Sequence, residues 1–363
     1  MKKSYSTRFG TQYNGDSLEF LTSMEDDSID LVMTSPPFAL LRKKEYGNEN
    51  QKEYVKWLTQ FAKLVYDKLK PTGSFVLDLG GAYKKGLPVR SLYNFRVPIA
   101  FCDEVGFHLA EDFYWFNPSK LPSPIEWVNK RKIRVKDAVN NIWWFSKTPY
   151  PKADVTKVLA PYSGRMKKLL ENPEQYYKPA ERPSGHNISS NFKDNGGAIP
   201  PNLLKIPNSE SNSVYLANCK KVGLKSHPAR FPPKLPEFFI KYLTDKEDLV
   251  VDIFSGSNTT GFVAEQLKRK WISIDMDASY SAMSAFRFLP KSLFDKDLLN
   301  VYYSILAGRE INILDFLMNE REVSPSTKKF VVNQKDSLEQ IGKLKKADKS
   351  KLQVLERAIS AFS

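Results

Sequence analysis

Leu249-Val250-Val251-Asp252-Ile253-Phe254-Ser255-Gly256-Ser257-Asn258-Thr259-Thr260-Gly261 reads as a buried strand, a tight glycine-containing turn and the start of a helix. Gly256 lets a ligand come close to the backbone, and free N–H groups at the helix start can hold a carboxylate. The stretch is neither GxGxxG nor the P-loop GxxxxGK[S/T], so by itself it fits a structural connection as well as a ligand turn. The helix runs over 260–268. Trp271-Ile272-Ser273-Ile274-Asp275 is the next strand, and Asp275 at its tip can hold ribose hydroxyls.

The same alternation runs through the N-terminal part. Tyr13-Asn14-Gly15-Asp16 ends a short strand, and residues 17–24 form a helix that Ser17 can cap. Ile29-Asp30-Leu31-Val32-Met33 is a buried strand stopped by Thr34-Ser35-Pro36-Pro37. Tyr54, Trp57, Leu58, Phe61, Leu64, Val65 and Leu69 have helical spacing over 53–70, and Ser74 to Leu79 is the following strand. Further strands are expected near 113–116 and 141–145, and a helix over 235–243. Strands alternating with helices predict an α/β fold with a mostly parallel sheet covered on both faces. Ligands then sit at the carboxyl ends of the strands. That rule selects Asp16, Ser35 to Phe38, Asp78, residues 252–259 and Asp275.

The chain has 363 residues, 41% of them hydrophobic, and no apolar run approaches the length of a membrane span. Met1-Lys2-Lys3-Ser4-Tyr5 carries no apolar leader, so no secretory signal is expected. Cys102 and Cys219 cannot make a disulfide scaffold, and with three histidines and no CxxC or HxxxH spacing no metal site is expected. A reducing cytosol fits. The net charge is +14, and residues 117–234 hold 21 Lys/Arg against 8 Asp/Glu together with 15 of the 23 prolines. This segment cannot be a continuous βαβ layer. It reads as an insertion with a polyanion-binding surface, nucleic acid first, or else as a solvated face. The lysine-rich tail from Glu320 follows a break at Ser324-Pro325-Ser326. It ends in a helix from about Lys349, striped by Leu352, Leu355, Ile359 and Phe362.

Thr34-Ser35-Pro36-Pro37-Phe38 is the sharper chemical signal. Two prolines remove two N–H donors and stiffen the turn. The Ser35 hydroxyl and nearby carbonyls then become fixed acceptors, and Phe38 offers a face on which a base can stack. That set suits the exocyclic amino group of a nucleobase. T-S-P-P-F after a strand resembles the catalytic motif (D/N/S)-P-P-(Y/F) of the S-adenosylmethionine-dependent, amino-methylating DNA methyltransferases. D-I-F-S-G-S-N-T-T-G resembles their cofactor motif, D-x-F-x-G-S-G-T, with Asn258 where glycine is usual. Asn also tolerates left-handed backbone angles, so the turn is expected to survive. His227-Pro228-Ala229-Arg230-Phe231-Pro232 resembles the segment that lines the methionine end of the cofactor. Catalytic motif, basic insertion, then cofactor motif is the order of the β class, and Ser before Pro-Pro resembles its cytosine-N4 branch.

The resemblance implies a circularly permuted Rossmann-like methyltransferase fold. Its sheet would be mostly parallel and seven-stranded, with an irregular target-recognition insertion. The implied divisions are a catalytic half over 1–146, the insertion over 147–225, a cofactor half over 226–311 and an extension over 312–363. It implies that Thr34, His227, Pro228, Arg230, Phe231, Pro232, Asp252, Phe254, Ser255, Gly256, Ser257, Asn258 and Thr259 line the S-adenosylmethionine site. Asp275 would hold the ribose and Asp16 the adenine amino group. Ser35, Pro36, Pro37 and Phe38 would hold the target base, with Asp78 hydrogen-bonded to Ser35. Arg42, Lys43, Lys44, Lys130, Arg131, Lys132 and Arg134 would contact double-stranded DNA. The implied reaction is N4 methylation of a flipped-out cytosine in a palindrome such as CAGCTG. A restriction endonuclease would act on the same site without direct contact. Adenine-N6 methylation and a catalytically silent DNA-binding protein are the alternatives. Cytosine-C5 chemistry is disfavoured because neither cysteine follows a proline.

Overall fold

A computed structural model describes residues 1–38, 53–173, 193–210, 213–319, 322–341 and 344–362. One twisted sheet organises them. Its strands are β1 (Lys2–Ser6), β2 (Gly10–Asn14), β3 (Ile29–Thr34), β4 (Leu69–Gly80), β5 (His108–Phe116), β6 (Val139–Ser146), β7 (Leu203–Lys205), β8 (Leu249–Asp252), β9 (Lys270–Asp275) and β10 (Ile311–Asn312). The spatial order is β10-β1-β2-β9-β8-β3-β4-β6-β5-β7. The central five, β2-β9-β8-β3-β4, are mutually parallel. All five carboxyl ends therefore open on one edge. Strands from the two ends of the chain interleave there, with Asn14 opposite Asp275 and Val32 opposite Val251. That is the permuted arrangement expected from the motif order.

The sheet has ten strands among the described residues, not seven. Three short strands account for the excess. β1 folds back antiparallel on β2, β10 extends that edge, and β7 adds to the far edge beside β5. β7 comes from the stretch read as irregular, which also holds the helices Gly164–Glu171 and Val214–Lys221. The central strands are apolar on both faces, as parallel strands between helix layers must be. Leu31, Val32, Phe75, Val76, Val250 and Val251 are all buried. The helix Tyr54–Lys68 covers one face, burying Leu58, Phe61, Ala62 and Val65. The helices Lys234–Leu243 and Asp295–Leu306 contribute to the larger core on the other.

Asp16, rather than Ser17, caps the first helix (Ser17–Ser23). Its carboxylate accepts from Leu18 N at 2.8 Å, while Ser17 Oγ donates to the Ile253 carbonyl at 2.6 Å. At the C-terminal end, Ser324 and Pro325 start a helix instead of breaking one. Ser324 Oγ accepts from Thr327 N, and Pro325 takes the first helical position, where its missing N–H costs nothing. This helix (Pro325–Glu339) and the terminal one (Lys346–Phe362) pack on Asp295–Leu306, burying Val331, Leu338, Val354, Leu355, Ala358 and Phe362. Leu352 and Ile359 are half-buried, so the stripe faces the chain's own core. Truncation after Asn319 is expected to cost a net of about 2–3 kcal/mol, or roughly 3–5 °C in melting temperature for a chain of this size. All the motif residues would remain. Scanning calorimetry reads the shift, and an unchanged midpoint would show that the two helices add nothing to stability.

Candidate active site

β3 ends on Thr34, and the next residue turns out of the sheet between the ends of β8 and β4. Thr34 Oγ1 donates to Asp252 Oδ1 at 2.6 Å, and Ser35 Oγ donates to Asp78 Oδ2 at 3.1 Å. Two adjacent residues thus tie one turn to a carboxylate on each side. Pro36 is buried, while Ser35, Pro37 and Phe38 are half-buried. The Phe38 ring lies against Gly80, where a Cβ would stand 2.5 Å from it. Only glycine at 80 leaves room for that ring.

Asp78 is fixed from its other side by Asn140 of β6, whose Nδ2 donates to Oδ1 at 3.1 Å. The Tyr93 hydroxyl closes the end of β4 on the Gly80 carbonyl. Burial pushes the Asp78 carboxyl up to about 6, against the pull of the Asn140 and Ser35 hydrogen bonds. Asp252 is likewise pushed up to about 6 by burial, with Thr34 pulling it down.

The turn after β8 is held by the neighbouring strands. Gly256 N donates to Asp275 Oδ2 at 2.7 Å, Asp277 N donates to Asp275 Oδ1 at 2.9 Å, and Asn14 Nδ2 donates to the Asp275 carbonyl at 2.9 Å. Asp275 too is raised to about 6, chiefly by desolvation. Gly256 has φ +49°, and a Cβ there would stand 3.1 Å from the His227 ring. His227 is itself fixed, Nδ1 against the Ala229 carbonyl at 2.6 Å and the ring edge-on to Tyr280 at 4.3 Å. Burial lowers its pKa to about 4, so the ring is neutral at physiological pH. Phe254 packs against Trp57 and Phe61 of the helix over the sheet.

Asn258 adopts the left-handed conformation that its substitution for glycine requires, φ 53° and ψ 48°. Its side chain turns inward. Oδ1 accepts from Gly261 N and Ser273 Oγ, and Nδ2 donates to the Tyr5 hydroxyl. Asn258 is fully buried, so its part in the turn is conformational. In the 227–232 segment, Arg230 donates to the His227 carbonyl, Pro232 is buried, Phe231 packs against the core and Pro228 is exposed.

Residues 29–286 match the family model described as DNA methylase. The chain belongs to that family. It is 67% identical over 313 residues to the Type II methyltransferase M.PvuII of Proteus hauseri, covering 86% of this chain and 93% of that one. It is 25% identical over 289 residues to the Type II methyltransferase M.ScaI of Streptomyces caespitosus, covering 77% and 81%. Among solved structures it resembles the PvuII DNA methyltransferase, described as cytosine-N4-specific, with TM-score 0.72 and 59% identity over 86% of this chain and 98% of that one. The family uses S-adenosylmethionine.

Sequence reasoning missed three side chains that brace these turns. Asn140, which holds Asp78, carries no charge and lies 62 residues from its partner. Arg287 and Glu210 form a buried ion pair at 2.8 Å behind the turn that follows β8. A lone arginine in the apolar run Ala285-Phe286-Arg287-Phe288-Leu289 was the available signal, because a buried charge needs a partner. Of the basic residues expected to face DNA, Arg42, Lys43 and Lys44 lie outside the described residues. Lys130, Arg131, Lys132 and Arg134 are exposed on the segment joining β5 to β6, the strand that carries Asn140. Glu126 pairs with both Lys130 (3.3 Å) and Arg131 (3.0 Å), and Arg131 lies over the Trp127 ring. Arg134 donates to the Pro88 carbonyl at 2.9 Å and helps line a cavity of about 520 Å³ with Tyr83, Arg90 and Val135.

Proposed function

We propose that the chain is the modification methyltransferase of a restriction–modification system. It would methylate the exocyclic N4 of a cytosine flipped out of duplex DNA, in a palindrome such as CAGCTG. The observation that carries this reading is the Ser35–Asp78 hydrogen bond at the mouth of a Pro-Pro turn, one strand away from the Asp252 turn. The 67% identity to M.PvuII supports the reaction and the substrate.

The residues fit the cofactor. Asp275, at the end of β9, suits a ribose diol, and Asp16 keeps one carboxylate oxygen beyond its cap for the adenine amino group. The glycine turn at 256, backed by neutral His227 and the start of the helix Thr259–Gln266, suits the amino-acid end. When bound, S-adenosylmethionine supplies a methyl group activated by its sulfonium. Ser35 Oγ and the Pro36 carbonyl accept from the N4 amino group, localising the lone pair that conjugation spreads into the ring. Pro37 stiffens that geometry, and Phe38 stacks on the base. The cofactor would give up its methyl group to N4, its sulfur keeping the bonding electrons, and the chain's own part is to hold N4 in line with that group. N4 then passes its surplus proton to Ser35 Oγ while Ser35 passes its own to Asp78. A carboxyl at about 6 is ionised at neutral pH yet basic enough to take that proton.

Duplex oligonucleotides carrying CAGCTG provide the test. One methyl per strand is expected, and none when the inner cytosine of each strand is replaced by thymine. Unchanged transfer to the replaced duplex would remove the proposed target.

The basic segment predicts a salt dependence. If Lys130, Arg131 and Lys132 track phosphates, neutralising all three should flatten the slope of log affinity against log salt by at most about 2.7. Glu126 already shares two of these cations, so the change should fall below that limit. Fluorescence anisotropy across a salt series measures it, and an unchanged slope would move the DNA face elsewhere. The insertion over 147–225 would supply base contacts, the 226–311 half the cofactor, and the 312–363 extension the packing described above.

A further inference from the structure

We propose that Arg287 is a positioning residue for the cofactor's carboxylate, one that sets the hydroxyls of Ser257 and Thr259 as hydrogen-bond donors toward it. The inference rests on the reading that the 252–259 turn holds the amino-acid end of S-adenosylmethionine. Arg287 ends the short helix Ala285–Arg287 behind that turn, with its side chain 2% exposed. Its Nε donates to the Ser257 carbonyl at 2.5 Å. Its Nη2 donates to Ser257 Oγ at 2.9 Å and to Thr259 Oγ1 at 2.8 Å.

A guanidinium has no acceptor, so both hydroxyls must accept from it. Each keeps its own proton to donate. Among the described residues, the acceptor within reach of either hydroxyl is the other one, at 3.4 Å. The pair therefore has at least one donor hydrogen to spare, and a carboxylate, which only accepts when ionised, is the group that takes it. Because Ser257 and Thr259 are both buried, such a bond is made in a poorly hydrated place, where it is stronger.

The guanidinium is held in turn. Glu210 Oε1 takes Nη1 at 2.8 Å, and the Tyr215 ring lies 4.9 Å from Cζ. Glu210 also faces Arg230 Nε of the His227–Pro232 segment at 3.4 Å. One carboxylate thus neutralises Arg287 and ties it to the segment beside the turn. Lysine cannot replace this arrangement. Its three N–H groups would have to serve four acceptors: the Ser257 carbonyl, two hydroxyls and Glu210.

Calorimetric titration of the full chain with two nucleosides tests the proposal. S-adenosylhomocysteine carries the amino-acid end, and 5′-methylthioadenosine shares the adenine and ribose but lacks the carboxylate. Arg287→Lys is expected to weaken S-adenosylhomocysteine about tenfold or more while changing methylthioadenosine less than about twofold. Equal loss for both, or loss for neither, overturns the assignment, because a merely structural arginine would not distinguish them. Should Arg287→Lys fail to fold, Thr259→Val carries the same comparison with the same two readings. Asp275→Ala serves as the reference and should weaken both nucleosides. If it weakens neither, the cofactor reading itself fails, whatever Arg287 does.

Discussion

Replacing Ser35 with alanine is expected to cut turnover by roughly two to four orders of magnitude, the range seen when a positioned polar group is lost from a reacting centre. The substitution leaves Pro36, Pro37 and the Thr34–Asp252 bond in place, so the turn should keep its path. What disappears is the link to Asp78 and, with it, the proposed acceptor for the amino group. Cofactor affinity should stay near that of the parent chain, since Asp275 and the Gly256 turn are untouched. Single-turnover kinetics with saturating S-adenosylmethionine separate the two effects. Parent-like turnover would remove Ser35 from the reaction.

Asp78→Asn is expected to make the protein more stable and nearly inactive. Folding raises the Asp78 pKa to about 6 from an ordinary value of 3.8, with burial as the main cause. A raised value means that the folded chain holds the proton more tightly than the unfolded one. The resulting stabilisation is complete below about pH 4 and is lost as the pH rises through 6. Near pH 8 the buried charge therefore costs about 3 kcal/mol as an upper figure, which asparagine does not pay. Asparagine also preserves the contacts. Its Oδ1 can accept from Asn140, and its Nδ2 can donate to Ser35. That last bond fills a lone pair of Ser35, and the side chain cannot take a proton. Turnover should fall by at least about a hundredfold. Denaturant melts at pH 8 and methyl-transfer rates on the same preparation check both halves. A variant that is less stable, or fully active, would contradict this role for Asp78.

Local chemistry made much of this site legible. The Asp252–Thr259 turn and Thr34–Phe38 announce themselves through glycine, paired prolines and strand-ending carboxylates. The carboxyl-end rule then put Asp16, Asp78 and Asp275 on the same edge without knowledge of strand order. Long-range pairing stayed hidden. β1, β7 and β10 are two to five residues long, and nothing in so short a run says which strand it will meet. Asn140 meets Asp78 through β4–β6 register, and Glu210 meets Arg287 across 77 residues. At Ser324-Pro325 the signal was present. Serine followed by proline begins a helix as readily as it breaks a chain, and what decides is the apolar stripe that follows.

Nucleoside analysis of DNA methylated by the purified chain tests the central claim most directly. Duplex plasmid is incubated with the protein and S-adenosylmethionine, digested to nucleosides and resolved by mass spectrometry. The Ser35–Asp78 account predicts N4-methylcytosine as the methylated nucleoside, with its amount falling in step with turnover in Ser35→Ala. N6-methyladenine in its place, or unmodified DNA from a folded protein that binds the cofactor, would contradict it.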